Sequence, residues 1–143
     1  MKYSFPAFEN GFVRVAAATP ALRVADCAYN AQQIIDAMRV YAAQDVQLVC
    51  FPEFCLTGYT CNDLFLQHTL LQGAEDGLAA ILDASTGLNL VALVGLPVAH
   101  DGKLYNCAAV VCNGELLGLV PKQHLPNYGE FYAKRHFVPG MAE

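Results

Sequence analysis

QLVCFPEFCLTGYTCND, residues 47–63, joins an apolar run, an abrupt stop and a lone carboxylate. From Gln47 to Phe51 both faces of a two-residue repeat are apolar, with only Gln47 polar. Such a run, rich in Val, Leu and Phe, predicts a strand covered on both sides of a sheet. Pro52 stops the ladder because it has no N–H to donate. Glu53 follows at once, between Phe51, Phe54 and Leu56. A carboxylate at the end of a buried strand loses water and gains the basicity of a general base. The same position also suits an N-cap or a buried salt-bridge partner. These few residues leave both readings open.

Upstream, Gly11 to Thr19 reads as a first strand closed by Pro20, and Asp26 as the N-cap of a helix reaching Ala43. Cys27, Ala31, Ile34, Ile35, Met38 and Tyr41 recur every three or four residues and form one apolar stripe. Strand, helix and the strand before Glu53 make a βαβ unit, whose functional loops lie at the carboxyl ends of its strands. Downstream, Cys55 to Asn62 is expected to be a loop hinged at Gly58. Two helices follow, Asp63 to Gln72 and Ala74 to Ser85, the second burying Leu78, Ile81 and Leu82 and capped at Gly87. Leu90 to Val98, Leu104 to Cys112 and Leu116 to Val120 then read as strands. Asp101-Gly102 and Asn113-Gly114 between them tolerate positive φ, so both joins are tight hairpins. The sum is an α/β fold with a mixed sheet.

Lys122 follows the last strand and Pro121 much as Glu53 follows Phe51 and Pro52. This repetition predicts both side chains close together, at the carboxyl ends of adjacent strands. A lysine held there can steady a developing oxyanion. A solvated lysine at a loop entrance is the plainer alternative.

Net charge −5 with eight basic residues argues against nucleic acid or an anionic membrane as partner. No apolar run approaches the ~18 residues that span a bilayer. The N-terminus lacks the continuous apolar segment of a secretory signal, which points to the cytoplasm. The six cysteines contain no C-x-x-C pair and no histidine at zinc-ligand spacing. They read as reduced structural thiols, with no metal site. Hydrophobic residues make up 55% of the chain, above the roughly 45–50% usual for a soluble domain.

Two longer patterns, FPEF-x-LTGY-x-x-x-DLF over 51–65 and PK-x-x-LPNYGEFY-x-x-R-x-F over 121–137, resemble the nitrilase (carbon–nitrogen hydrolase) superfamily. More narrowly they are similar to the N-terminal glutaminase domains of glutamine-dependent NAD synthetases. The resemblance implies Glu53 as general base, Lys122 as stabiliser of the tetrahedral intermediate and Glu130 as a second glutamate orienting the triad. It implies that Tyr59, Tyr128 and Phe131 shape a glutamine pocket. Tyr128 and Phe131 could equally pack a loop, and Glu130 could pair with Arg135.

Ala133 and His136 depart from the synthetase pattern, where Glu and Trp are usual, which leaves the charge network around the Lys122 loop open. The family nucleophile is a cysteine that follows the lysine, and the last cysteine here is Cys112. The chain is therefore expected to be a single partial domain, 1–143, cut after the lysine loop. That is the first half of a nitrilase-like α-β-β-α sandwich, inactive alone. By the resemblance, glutamine is the substrate of the full enzyme. No cofactor belongs to this segment, since ATP and deamido-NAD would bind a separate synthetase domain. The exposed face implies a homo-oligomer. Another nitrilase-type amidase and a non-catalytic interaction protein are the competing readings.

Overall fold

The apolar stripe of the first helix meets the first strands of a five-stranded sheet, and the rest of the chain builds on that contact. The computed structural model describes residues 11–140; the reading of the N-terminus as no secretory signal falls largely outside them. Strands β1 (Val15–Ala17), β2 (Leu48–Cys50), β3 (Val91–His100), β4 (Lys103–Cys112) and β5 (Glu115–Pro121) lie in that order across one sheet. β1, β2 and β3 run parallel, β4 runs against them and β5 turns back again antiparallel to β4, as the mixed sheet required. Among the described residues, no helix is long and apolar enough to cross a membrane.

Helix α1 (Cys27–Ala42) starts where expected, with the Asp26 carboxylate accepting from the Tyr29 N–H at 3.1 Å. Its stripe buries Ala31, Ile34, Ile35 and Met38 against the sheet. Full burial of a side chain such as Ile34 or Met38 contributes roughly 1.5–3 kcal/mol. Helix α2 (His68–Ser85) corrects the two-helix reading. A 3₁₀ turn, Asn62–Leu66, precedes it, and α2 then runs unbroken through Gly73. Gly73 and Gly77 let α2 lie close to α1. A Cβ at Gly77 would stand 3.5 Å from Ala31 Cβ, and one at Gly73 3.4 Å from Cys27, both on α1. Thr86 caps α2, and Gly87 follows with φ +81°.

Both hairpins form as the turn chemistry predicts, with positive φ at Asp101, Gly102, Asn113 and Gly114. The first two strands are shorter than predicted; β3 starts one residue later and ends two later, β4 starts one earlier, and β5 gains one residue at each end. Leu90 just before β3 and Ala92, Val94 and Leu96 within it join Cys107, Ala109 and Val111 from β4 in a core with the helices. On the opposite face Leu48, Leu93 and Val110 are only half-buried and Cys50 is exposed. The sheet therefore carries helices on one face and is open on the other.

Candidate active site

Glu53 reaches its place by a detour of the chain. Phe51 still pairs with the sheet, its N–H bonded to Leu93 O at 3.0 Å, and Leu56 rejoins it with its N–H on Gly95 O at 3.2 Å. Between them the backbone crosses over Gly95 of β3. A Cβ at Gly95 would lie 2.6 Å from Phe54 N and 2.7 Å from Pro52 O. Phe54 turns the chain with φ 53°, a left-handed conformation rarely adopted by non-glycine residues. Glu53 stands at the top of this turn, over the open face.

Lys122 Nζ lies 2.9 Å from Glu53 Oε1, so the structure brings the predicted pair together. It does so by a different route from the one predicted. Their strands are not adjacent, because β3 and β4 lie between β2 and β5. The detour over Gly95 closes part of that gap and Asn106 of β4 closes the rest. Asn106 Nδ2 donates to Glu53 Oε1. The Lys122 N–H bonds Asn106 O at 2.7 Å. Glu53 is also less dry than its strand predicted, with 36% of the side chain exposed against 34% for Lys122.

After Lys122 the chain leaves the sheet and returns, the Gly140 N–H closing on Lys122 O at 3.0 Å. This excursion walls a cavity of about 350 Å³ lined by Glu53, Tyr59, Glu130, Phe131, His136 and Phe137, among others. Phe54, Phe65 and Phe137 form its floor, each pair of rings 5.0 Å apart. Tyr59 meets Phe131 edge-on at 6.3 Å. Desolvation first, and then the Glu53 charge, hold the Tyr59 phenol above its ordinary range. Tyr128 is not part of this lining: it is 72% exposed and packs on Phe131 at 5.7 Å. Glu130 shares the cavity with Glu53, but among the described residues no hydrogen bond or ion pair joins it to Glu53, Lys122 or Arg135.

Arg135 instead grips Asp63 with two hydrogen bonds of 2.9 Å, which corrects the suggested Glu130–Arg135 pair. His136 Nε2 lies 2.9 Å from the same carboxylate. Hydrogen bonds from His136 and then Arg135 hold Asp63 below the usual carboxylate range. Thus the position that departs from the aromatic pattern supplies an anchor between the 3₁₀ turn and α3 (Ala133–His136).

All six cysteines are unpaired. Burial pushes the Cys55 thiol up to about 12, and Gly95 N–H donates to its sulfur at 3.2 Å. Burial likewise raises Cys27 and Cys107 to about 11 and lifts Cys61 and Cys112. Cys55, nearest Glu53 in sequence, is therefore a core group. Cys50 is the exposed thiol, on a groove shared with Glu53, Asn106 and Lys122. No group of three or more His, Cys, Asp or Glu among the described residues could hold a metal.

Sequence reasoning missed Gly95, Asn106 and the Asp63 anchor. Two signals were available: a glycine inside a strand marks close backbone approach, and Asn106 interrupts an apolar run.

The carbon-nitrogen hydrolase family profile matches residues 14–142. The chain is 41% identical over 139 residues to the glutamine-dependent NAD(+) synthetase of Mycobacterium tuberculosis, covering 97% of this chain and 20% of that protein. It is similar to the crystal structure of a glutamine-dependent NAD(+) synthetase from Cytophaga hutchinsonii, with TM-score 0.83, 33% identity and coverage of 89% and 22%. An amidase from Nesterenkonia sp. AN1 aligns with TM-score 0.74 and 25% identity over 91% of this chain and 49% of that one. The chain thus spans about a fifth of the curated synthetases it matches. With the profile running over nearly all its length and the Glu53–Lys122 ion pair formed just beyond β2 and β5, the chain belongs to the carbon-nitrogen hydrolase family.

Proposed function

We propose that this chain is the N-terminal part of a glutaminase domain that releases ammonia from glutamine for amidation of deamido-NAD. The observation that carries the reading is the 2.9 Å Glu53–Lys122 pair beside an aromatic cavity holding a second carboxylate. The 41% identity to a glutamine-dependent NAD(+) synthetase supports the choice of glutamine.

In this reading Glu53 takes the proton of a cysteine thiol, and the thiolate attacks the side-chain amide carbon of glutamine. Lys122 steadies the oxyanion of the tetrahedral intermediate. The C–N bond breaks and ammonia leaves with the proton that Glu53 returns. Water, deprotonated by Glu53, then cleaves the thioester. Glu130 is assigned as the second glutamate, lining the cavity beside Glu53 without touching the pair, while Tyr59 and Phe131 shape the pocket and Tyr128 supports Phe131 from outside.

The attacking thiol is assigned outside these 143 residues, because the buried thiols are core groups and Cys50 is fixed within β2. The chain alone is therefore inactive on glutamine. ATP and deamido-NAD are assigned to a ligase domain beyond this segment. The unpaired thiols favour a reducing, cytoplasmic setting, and the open sheet face favours a homo-oligomer.

The second reading is an amidase of different substrate. It is favoured by the Nesterenkonia enzyme, whose active-site cysteine carries the acetamide moiety of fluoroacetamide. Replacing the matching segment of the Mycobacterium tuberculosis synthetase with this chain tests both. The glutaminase reading expects ammonia from glutamine. A folded chimera that spares glutamine but cleaves small aliphatic amides would reverse the choice.

A further inference from the structure

We propose that Asn106 is a positioning residue that determines which oxygen of the Glu53 carboxylate is free to take a proton. The inference rests on the reading of Glu53 as the base. Asn106 is a buried polar residue on the open face of β4, where its neighbours Leu104, Ala108 and Val110 are apolar. Its Nδ2 donates to Glu53 Oε1, the oxygen that Lys122 Nζ also reaches, at 2.9 Å. Its main-chain carbonyl accepts from the Lys122 N–H at 2.7 Å. One residue thus holds the base by its side chain and the lysine by its backbone.

A carboxylate offers about four lone-pair sites over two oxygens. Here both donors converge on Oε1, and among the described residues no hydrogen bond reaches Oε2. Charge is stabilised at one oxygen and the other is left to accept a proton. An amide suits this task because it donates without charge. A second cation would over-neutralise the carboxylate, and a carboxylate at position 106 would repel it. The plainer account is that a buried amide has merely found the nearest acceptor. That account requires nothing of Glu53.

Two spectroscopic measurements on the 143-residue chain test the proposal without requiring turnover, the first reading the contact and the second the asymmetry it imposes on Glu53. In ¹⁵N-resolved spectra, one Asn106 side-chain amide proton is expected downfield and slow to exchange. It should move upfield in Glu53→Gln, where a neutral amide replaces the charged acceptor. Unmoved Asn106 resonances would overturn the proposal, and this arm leaves Asn106 intact. In infrared difference spectra of ¹³C-glutamate-labelled protein, wild type minus Glu53→Gln isolates the Glu53 carboxylate. The gap between its asymmetric and symmetric stretches should narrow in Asn106→Leu, as the two oxygens become more alike. An unchanged gap in folded Asn106→Leu would also overturn it. Ammonia-release assays report separately on the glutaminase reading, so failure of that reading leaves these spectra to decide the role of Asn106.

Discussion

Gly95 is the residue on which the position of Glu53 most depends. Its missing side chain leaves the room in which Pro52 to Phe54 cross β3, and the atoms a Cβ would strike are backbone. Gly95→Ala should therefore lower stability by about 1–3 kcal/mol, the usual cost of overpacking. Urea midpoints measure it, and a loss below a few tenths of a kcal/mol would mean the crossing relaxes freely. The thiols make a second prediction. Burial raises Cys27, Cys55 and Cys107 from the ordinary 9.0 to about 11, 12 and 11. Above about pH 9 the unfolded chain releases these protons while the folded chain retains them, so stability must fall as pH rises towards 12. Below pH 9 the thiols contribute no slope. Urea midpoints that stay level from pH 8 to 11 would contradict the burial of these groups. Glu53 and Lys122 were legible from the sequence because each ends an apolar strand at a proline. Asn106 and Gly95 were not, because their importance arises only when a detour in one strand meets its neighbours.

Asp63 ties two elements that are distant in sequence, the 3₁₀ turn and α3, through Arg135 and His136. The carboxylate is exposed, so the tie adds little to global stability. Its effect belongs to the excursion between Lys122 and Gly140. Asp63→Asn should raise hydrogen exchange in α3 while leaving β3 and β4 protected. Equal exchange in both proteins would show that the aromatic floor alone holds the segment. Acid should act likewise. Because Asp63 is held below its ordinary 3.8, its contribution is present above that pH and is lost as pH falls below it. At this scale the turns were the most legible features, since Asp-Gly and Asn-Gly specify positive φ locally. The continuity of α2 was hidden, because Gly73 resembles a helix break until α1 is seen packed against it. The strand order placed Glu53 and Lys122 on the same edge, but their two-strand separation depends on long-range pairing that local pattern does not encode.

The whole molecule is a sheet dressed on one side. Leu117 and Val120 on the edge strand β5 are 53% and 59% exposed, and Leu93 and Val110 on the open face are only half-buried. An apolar surface of this kind favours association. Light scattering should show a mass that rises with concentration, accompanied by binding of an apolar dye. A clean monomer from dilute to concentrated solution would count against it. High apolar content and strands without a polar face made this openness readable before the fold was known. In the proposed function Glu53 is the proton-accepting group of an amide-cleaving site. The deciding measurement is kcat for ammonia release from glutamine by the synthetase chimera carrying this chain, with and without Glu53→Gln. Removal of one member of a catalytic unit predicts a loss of about 10³-fold or more at unchanged folding. A Glu53→Gln chimera that retains kcat within about tenfold would contradict the account.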